Sequence, residues 1–337
     1  MQSDPTYPLD PADVGAIVLF SGGGGSTLGL KMAGVTNTIG VEFEKPIADV
    51  ARRNGHRTVC TDVRKLRPTA VRAQLDPHKH LLVQSSPPCP GFSRAGLQKG
   101  LSDLPALIGA MKQLKDLNDG PVNAIRAERL RVQLEAVQHD ARSALSFDTI
   151  RWIADLQPEW VMLEQVPAVL PLWEAYAEVL EAWGYSVRAG YVNSEQFGVP
   201  QTRKRAELAA SRVSLVEPLK PTHSRYYPRT PDKLDLGVQP WVSMAQALTK
   251  GIGDGYGLTA RPSFTVTGGG TDTGGAEPFG TQARESMKAA QVGGGGSRVM
   301  RSNYGTGGDP RNRGERSQDE PAPTVTTKIG RNKWTSV

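Results

Sequence analysis

Apolar residues recur in short runs along the chain up to about residue 211, and longer stretches with helical spacing separate these runs. The runs lie at 16–20, 38–43, 81–84 and 160–163, and a shorter piece of the same kind precedes Asp62. Leu28, Leu30 and Met32 follow the first run with the spacing of an amphipathic helix. Buried strands that alternate with helices predict an α/β fold whose mostly parallel sheet is covered on both faces. We therefore expect a doubly wound, Rossmann-like domain over residues 1–211.

The pattern changes beyond residue 212, where glycine, proline, serine and threonine dominate. Glycine-rich stretches at 251–257, 268–275 and 293–296 have neither helical nor strand periodicity, which is typical of loops. We predict a second, small, loop-rich region over residues 212–337. Within the first part, residues 97–144 carry many charges at amphipathic spacing, and this predicts a helical insertion of one or two helices.

A glycine-rich turn, "SGGGGSTLGL", follows the first predicted strand. Glycines let a ligand approach the backbone, and the N–H groups at the start of the next helix favour electronegative atoms. Glu42 closes the second strand, where nucleotide-binding folds hold ribose hydroxyls. Asp62 closes the third strand and suits an adenine amine. Both acids have structural alternatives: a helix-start acid, which fits Glu44 better than Glu42, and a turn cap for Asp62.

The two cysteines of the chain have different surroundings. Cys60 lies in an apolar strand context, which is typical of an inert buried thiol. Cys89 lies in "SSPPCPGFS", a proline-stiffened loop after the fourth strand with no apolar periodicity to bury it. A thiol on such a loop is a candidate nucleophile. No second cysteine or histidine pair lies at ligand spacing, so we expect no metal.

These polar residues all follow the ends of predicted strands, since Glu164 closes the fifth. The carboxyl ends of parallel strands meet at one edge of a sheet. We therefore expect Glu42, Asp62, Cys89 and Glu164 to line one cleft that holds a nucleotide-like cofactor beside a reactive cysteine.

Charge and composition narrow the setting. Forty basic and 34 acidic residues give a formal charge of +6, which favours a polyanionic partner without requiring one. The chain contains no run of about 18 apolar residues, so a membrane span is excluded at this stage. Two cysteines without disulfide-like spacing indicate a reducing compartment, and we expect a cytoplasmic protein.

Five motifs occur in a fixed order: "VLFSGGGGSTLGL", "GVEFEKPIADVARRN", "SSPPCPGFS", "LEQV" and "QFGVPQTRKR". In content and order they resemble the motifs of the DNA cytosine-5 methyltransferases, over roughly residues 15–210. The resemblance implies the fold of S-adenosylmethionine-dependent methyltransferases, S-adenosylmethionine as cofactor and double-stranded DNA as partner. It also implies that the loop-rich region is the target recognition region.

The resemblance assigns roles to matched positions. Catalytic roles are implied for Cys89 as nucleophile, for Glu164 as the carboxylate that engages the base, and for Arg203 and Arg205 as active-site arginines. Alternatively, Glu164 is a helix-start acid and the two arginines form a solvated basic edge. Cofactor binding is implied for Phe20, Ser21, Gly22, Gly24, Gly25, Ser26, Thr27, Glu42, Phe43, Asp62, Val63, Pro88 and Leu145.

The family's chemistry gives these residue types a reason. Carbon 5 of cytosine is not nucleophilic, so a cysteine thiolate must first add at carbon 6. The ring face is reached only if a duplex cytosine is flipped out of the stack. The implied activity is therefore DNA cytosine-5 methylation through a covalent Cys89 adduct, with protection of DNA from a restriction nuclease as an expected role.

The chain departs from the family pattern at three places. Gln165 replaces the asparagine of the usual glutamate-asparagine-valine, which changes the reach of the amide. The insertion at 97–144 could rest on DNA, act as a lid or form a solvated helical hairpin, and we favour the hairpin. The closing family motifs are not found before Val337, so we expect a truncated sequence, completion by a second polypeptide or lost activity. Methylation of transfer RNA, or DNA binding by a catalytically incomplete relative, are the alternative functions.

Overall fold

The computed structural model describes residues 10–88, 92, 99–115, 120–230, 232–243, 246–247, 263–264, 298–301, 315–317 and 333–336. The chain divides into two compact units. The first comprises Met1–Val192 and Lys204–Leu219, and the second comprises Asn193–Arg203 and Lys220–Val337.

Strands and helices alternate through most of the described chain. The helices are α1 (Gly25–Met32), α2 (Lys45–Arg53), α3 (Pro68–Arg72), α4 (Leu104–Lys112), α5 (Gly120–Val137), α6 (Leu145–Leu156) and α7 (Leu170–Ala182). The strands are β1 (Val14–Leu19), β2 (Asn37–Glu42), β3 (Thr58–Cys60), β4 (His80–Ser85), β5 (Trp160–Gln165), β6 (Ser186–Asn193), β7 (Gln201–Thr202), β8 (Lys204–Ser211), β9 (Ser263–Phe264), β10 (Arg298–Arg301), β11 (Glu315–Ser317) and β12 (Lys333–Ser336).

The described residues form a seven-stranded sheet in the order β3-β2-β1-β4-β5-β8-β6. The first five strands are parallel, and β8 runs antiparallel to β5. Ile17 in the central strand lies between Ile39 and Val83. Since the chain leaves β1 towards β2 and later returns to its other side as β4, the strand order reverses at β1. Ligands of doubly wound sheets bind at the carboxyl ends of the strands at such a point, and the predicted fold class is confirmed.

Both faces of the sheet are buried. Every residue of β1 is buried, as expected for a central strand whose alternate side chains enter two different layers. Ile17 and Leu19 pack in one cluster with Trp152 of α6. Ala16 and Val18 pack in the other with Leu30 of α1. The glycine turn therefore connects two elements, β1 and α1, that are each fixed by buried side chains.

The inserted segment belongs to the core rather than to a solvated hairpin. Helix α5 packs against α6, and α4 packs against α7. Leu107 and Met111 of α4 and Leu130 and Leu134 of α5 are buried in the largest hydrophobic cluster. The favoured expectation of a solvated hairpin is thus wrong, because one apolar face of each helix covers neighbouring helices of the first unit.

The second unit is described in short pieces. In it, β7 pairs in parallel with β9, and β10 lies between β11 and β12 in an antiparallel arrangement. Asp235 accepts hydrogen bonds from the backbone N–H of Arg225, at 2.9 Å, and from the hydroxyl of Tyr227, at 2.6 Å. Most glycine-rich stretches of the predicted recognition region lie outside the described residues.

Candidate active site

The glycine turn reverses the chain sharply between β1 and α1. Phe20, Gly22 and Gly24 all have positive φ, at 55°, 56° and 98°. Only glycine adopts this region without strain, so Phe20 is held there by its surroundings, where it packs on the buried cluster of β1. At Gly24 a side chain would also collide, since an added Cβ would lie 2.3 Å from Cδ2 of His56.

Glu42 ties the glycine turn to the end of β2. Its carboxylate accepts hydrogen bonds from the backbone N–H of Gly22 at 2.9 Å and of Glu44 at 2.8 Å. The side chain is buried, so these bonds satisfy a charge that is largely removed from water. Because each carboxylate oxygen has two lone pairs, both oxygens keep capacity for a ligand hydroxyl.

The turn leaves a space that fits the cofactor expected from the resemblance. An added Cβ on Gly22 or Gly25 would meet no atom within 4 Å. Ser21 is buried, and its hydroxyl oxygen has no hydrogen-bond partner among the described residues. Ser26 is half-buried and Thr27 is buried in the first turn of α1, where unpaired helix N–H groups favour electronegative atoms. An open space lined by polar groups, beside the carboxylate of Glu42 with its remaining acceptor capacity, suits an adenosine-containing ligand.

Asp62 caps the 3₁₀ turn Val63–Lys65, which follows β3. Its carboxylate accepts from the backbone N–H of Arg64 at 3.0 Å and from the Arg64 guanidinium, with Nη2 at 2.6 Å. These hydrogen bonds and the arginine charge lower the pKa of Asp62. The structural alternative for Asp62 is thus realised, while its contact with adenine stays a prediction.

Three further predicted cofactor residues lie in the same unit. Phe43 follows β2 and is 63% exposed, so its ring face is open to a ligand. Val63 is buried, and Leu145 at the start of α6 is half-buried; both pack on the cluster of β1 and β2. Cys60 is half-buried, with Sγ 3.7 Å from the carbonyl oxygen of Phe43.

The loop of the candidate nucleophile is attached to β5. Nε2 of Gln165 donates a 2.6 Å hydrogen bond to the carbonyl oxygen of Pro87, and Oε1 accepts from the N–H of Val166 at 2.6 Å. Pro88 is half-buried, and Cys89 itself lies outside the described residues. The glutamine that departs from the family pattern therefore holds the loop two residues before Cys89.

Glu164 and Arg205 form an ion pair at the same end of the sheet. Their strands are antiparallel neighbours, with Gln165 opposite Ala206, and Nε of Arg205 lies 2.9 Å from Oε1 of Glu164. The side chains are 15% exposed for Arg205 and 28% exposed for Glu164. Arg205 is therefore paired and largely buried rather than part of a solvated basic edge, and Glu164 lies within β5, one residue before its end, rather than starting a helix.

Arg203 belongs to the second unit. Its carbonyl oxygen accepts from the N–H and the hydroxyl of Ser194, at 3.0 and 3.3 Å. The neighbouring Glu195 is buried, and burial raises the pKa of its carboxyl. The first unit thus brings together Glu164 and Arg205, and Arg203 is organised by the turn Ser194–Phe197.

Sequence reasoning missed three supporting residues. The imidazole of His56 fills the space that a side chain at Gly24 would need, and the guanidinium of Arg64 donates to the carboxylate of Asp62. The side-chain amide of Gln165 donates to the carbonyl oxygen of Pro87. Only Gln165 carried a signal, because it departs from the family motif. The other two act through contacts that local pattern does not reveal. Among the described residues, no cluster of three or more histidine, cysteine or acidic side chains could hold a metal ion. No helix in that part of the chain is long and apolar enough to cross a membrane.

Comparison with known proteins adds independent information. A family model described as C-5 cytosine-specific DNA methylase matches residues 15–107 and 135–250. The type II methyltransferase M1.HphI of Haemophilus parahaemolyticus is 29% identical over 196 residues, which cover 56% of this chain and 43% of that protein. M.NgoPII of Neisseria gonorrhoeae is 25% identical over 222 residues, or 64% of this chain and 52% of that protein. The chain thus spans about half the length of these two curated relatives.

Solved structures are similar at a lower level. A DNMT2 mutant of Spodoptera frugiperda is 18% identical with a TM-score of 0.37, and the match covers 61% of this chain and 52% of that one. A protein described as a DNA modification methyltransferase, encoded within an Escherichia coli prophage, is 20% identical with a TM-score of 0.42. That match covers 70% of this chain and 54% of the other.

Proposed function

Because the chain belongs to the C-5 cytosine-specific DNA methylases, we propose that it transfers a methyl group from S-adenosylmethionine to carbon 5 of cytosine in DNA. One observation carries this proposal. The ion pair joins Glu164 of β5 to Arg205 of β8, and the residue after Glu164, Gln165, donates to the carbonyl oxygen of Pro87. A carboxylate paired with an arginine, beside the residue that holds Pro87 two positions before Cys89, suits addition of a thiolate to a pyrimidine ring.

The cofactor is proposed to bind at the glycine turn. Glu42 would hold the ribose hydroxyls, since both of its oxygens are fixed by backbone N–H groups and keep acceptor capacity. Phe43 would pack on the adenine ring, and Asp62 and Val63 would read its edge. When bound, S-adenosylmethionine supplies an electrophilic methyl group. Ser21, Gly22, Gly24, Gly25, Ser26 and Thr27 would shape the cradle around the amino-acid part, with Phe20, Pro88 and Leu145 lining it.

Cys89 is proposed as the nucleophile. Its thiolate would add to carbon 6 of the cytosine, and the electron pair of the 5,6 double bond would make carbon 5 nucleophilic towards the methyl group that S-adenosylmethionine supplies, with S-adenosylhomocysteine as the leaving group. The proton on carbon 5 is then lost to a base, the double bond re-forms and the thiolate leaves. These steps return Cys89 unchanged, so the reaction consumes one methyl donor for each cytosine.

Glu164 and Arg205 would stabilise the ring while Cys89 is attached. The carboxyl of Glu164 would engage ring nitrogen 3 and the exocyclic amine, where charge changes as the thiolate adds. Arg205 orients this carboxyl through its 2.9 Å contact, and Arg203 would contact the base or the adduct. A cytosine in duplex DNA must leave the base stack to present its ring face to these groups.

The DNA partner is proposed on family membership and on charge. The net charge of +6 suits a polyanion. The names of the curated relatives, type II methyltransferases, support a role in which methylation protects DNA from a restriction nuclease.

Methyl transfer tests the proposal directly. The full chain is incubated with S-adenosylmethionine labelled in its methyl group and with duplex DNA or transfer RNA, and digested nucleosides are separated. We expect labelled 5-methylcytosine from DNA only. Label in transfer RNA alone would replace the proposed substrate, and label in neither would contradict stand-alone activity. If the chain binds DNA without methylating it, and a second polypeptide restores methylation, the chain is a relative that depends on a partner.

Covalent trapping tests the nucleophile. Duplex DNA containing 5-fluorocytosine should form a stable protein adduct in the presence of S-adenosylmethionine, because fluorine cannot leave as a proton. Cys89→Ala should abolish the adduct, while Cys60→Ala, which removes the other cysteine, should retain it. Methylation of ordinary DNA without adduct formation would rule out the proposed covalent step.

A further inference from the structure

Arg64 joins Asp62 to the inserted helix α5. Its Nη2 lies 2.6 Å from Oδ2 of Asp62, and its Nη1 lies 2.8 Å from Oε1 of Glu135. Asp62 and Glu135 lie 73 positions apart in the sequence, so one guanidinium bridges the turn after β3 and the insertion. A planar guanidinium is suited to such a bridge, because its donors point in fixed directions.

A buried ionic network continues from Glu135 into the protein. Arg131 is 8% exposed and contacts Glu135 at 2.7 Å and Glu128 at 2.6 Å. Its Nε lies 3.5 Å from Asp148, whose side chain is fully buried. Glu135 is therefore held in place by its own helix, one turn from Arg131, and is a fixed acceptor for Arg64.

The same network reaches the turn Val63–Lys65 from its other side. Arg151 of α6 pairs with Asp148 at 3.1 Å. It also donates to the carbonyl oxygens of Val63, at 3.0 Å, and Leu66, at 3.2 Å. The backbone of the turn is thus fixed by Arg151, while the side chain of Arg64 is shared between Asp62 and Glu135.

Arg64 occupies most of the acceptor capacity of Asp62. Oδ1 accepts from the backbone N–H of Arg64 at 3.0 Å and from Nε at 2.9 Å, and Oδ2 accepts from Nη2 at 2.6 Å and from the shared Nε–H at 3.1 Å. A carboxylate offers about four acceptor positions, and these four contacts all come from Arg64. An adenine amine that approaches Asp62 must therefore displace side-chain bonds of Arg64. Glu135 is the acceptor already in contact with the displaced guanidinium.

We propose that Glu135 is a positioning residue for the adenine subsite, because it retains Arg64 when Asp62 exchanges its guanidinium bonds for the cofactor's 6-amino group. This inference rests on the proposed function, in which Asp62 reads adenine. It assigns the insertion a task in cofactor recognition. Without Glu135 the displaced guanidinium has no carboxylate to receive it, and binding of adenine becomes less favourable.

Calorimetric titration of the full chain separates this role from a general structural one. The ligands are S-adenosylhomocysteine and its analogue whose purine lacks the 6-amino group. We expect Glu135→Gln to raise the Kd for S-adenosylhomocysteine about fivefold, the size of one partly exposed ion pair, and to leave the Kd for the analogue unchanged. Arg64→Gln should bind S-adenosylhomocysteine at least as tightly as the parent chain, and it should abolish the effect of Glu135→Gln in the double variant.

A matched control removes a comparable ion pair elsewhere. Glu178→Gln breaks the contact of Glu178 with Lys115, at 3.1 Å on α7, and should change neither Kd. An unchanged Kd in Glu135→Gln, or an equal rise for both ligands, would overturn the positioning role while leaving the proposed function intact. A parent chain that binds neither ligand would contradict the proposed function itself. If Glu135→Gln does not fold, Arg64→Gln decides the matter, since markedly weaker binding by that variant is incompatible with competition for Asp62.

Discussion

Gly24 combines a left-handed backbone with direct contact to His56. Its φ is 98°, and an added Cβ would lie 2.3 Å from the imidazole ring. Gly25, the next residue, starts α1 and has nothing within 4 Å of an added Cβ. These neighbouring glycines therefore have different reasons to be present, one conformational and steric, the other to leave room for a ligand.

Substitution of the two glycines should separate these reasons. Gly24→Ala should lower the free energy of unfolding by about 2 kcal/mol, because it adds both backbone strain and a clash. Gly25→Ala should leave it unchanged or slightly higher, since alanine restricts the unfolded chain and favours the helix. Urea unfolding followed by circular dichroism measures both. Equal destabilisation by the two substitutions would show that the contact with His56 is not decisive.

The Glu164–Arg205 pair predicts a difference between two conservative substitutions. Arg205→Lys retains the charge but loses the Nε contact at 2.9 Å, so we expect kcat for DNA methylation to fall about tenfold to a hundredfold with less change in KM for DNA. Arg212→Lys is the control. Arg212 follows the same strand and donates to the carbonyl oxygen of Gln157 at 3.1 Å. Steady-state kinetics of both variants check the prediction, which fails if Arg205→Lys retains full kcat.

At the scale of elements, β5 and the Pro-Cys loop are joined through one amide. Gln165 is buried, and both ends of its amide are used, towards Pro87 and Val166. An unsatisfied buried carbonyl costs about 1 to 3 kcal/mol. Gln165 of β5 therefore fixes the start of the loop at Pro87, which lies 78 residues earlier in the sequence.

Replacement of this amide should affect both stability and activity. Gln165→Leu should lower the free energy of unfolding by about 2 kcal/mol, because the carbonyl oxygen of Pro87 loses its donor. It should also reduce methylation, since the loop of Cys89 is no longer held. Gln165→Glu is the near-isosteric comparison. It keeps the acceptor for Val166 and places a carboxylate against the Pro87 oxygen, so it should be no more stable than Gln165→Leu at neutral pH. Urea unfolding and single-turnover methylation give the two readouts.

At the scale of the whole molecule, the insertion, α6 and the turn after β3 are connected by buried charges. Asp148 is fully buried between Arg131 and Arg151. Loss of this carboxylate removes a buried acceptor from both arginines, which keep their contacts with Glu128. Asp148→Asn should accordingly destabilise the chain by about 1 to 3 kcal/mol in urea unfolding. Glu178→Gln, in an exposed pair, should cost about 0.5 kcal/mol or less. Comparable losses in both variants would contradict a cohesive role for the network.

The stability of the molecule should also depend on His56. Burial lowers the pKa of this imidazole from its ordinary value of 6.5, and the charge of Lys31 lowers it further. The unfolded chain then binds the proton at a higher pH than the folded chain. The contribution of His56 is therefore complete above pH 6.5 and is lost as the pH falls towards the lowered pKa. Urea midpoints measured from pH 8 to pH 5 should decline less in His56→Gln than in the parent chain, and identical slopes would exclude His56 as the titrating group.

The positions of strands could be predicted because they depend on local pattern. The apolar runs at 16–20 and 81–84 match β1 and β4 to within two residues at each end, since a buried strand must be apolar on both faces. The solvated hairpin expected for the insertion is wrong. The sequence shows that Leu107 and Leu130 are apolar, but it does not show which neighbouring helices cover them. The contact of Asp62 with adenine stays a prediction, and local pattern does not reveal its pairing with Arg64.

The sequence alone determined where the first five strands lie along the chain, the glycine turn, the acids at strand ends and the family to which the chain belongs. Each of these depends on residues that are close in the sequence or on motifs that recur in a fixed order. Tertiary structure alone decided which partners these residues have. Arg64 meets Glu135 and Gln165 meets Pro87 across 71 and 78 positions. Such contacts form only when packed layers bring distant segments together, and hydrophobic periodicity specifies the layers without specifying which polar side chains meet at their edges.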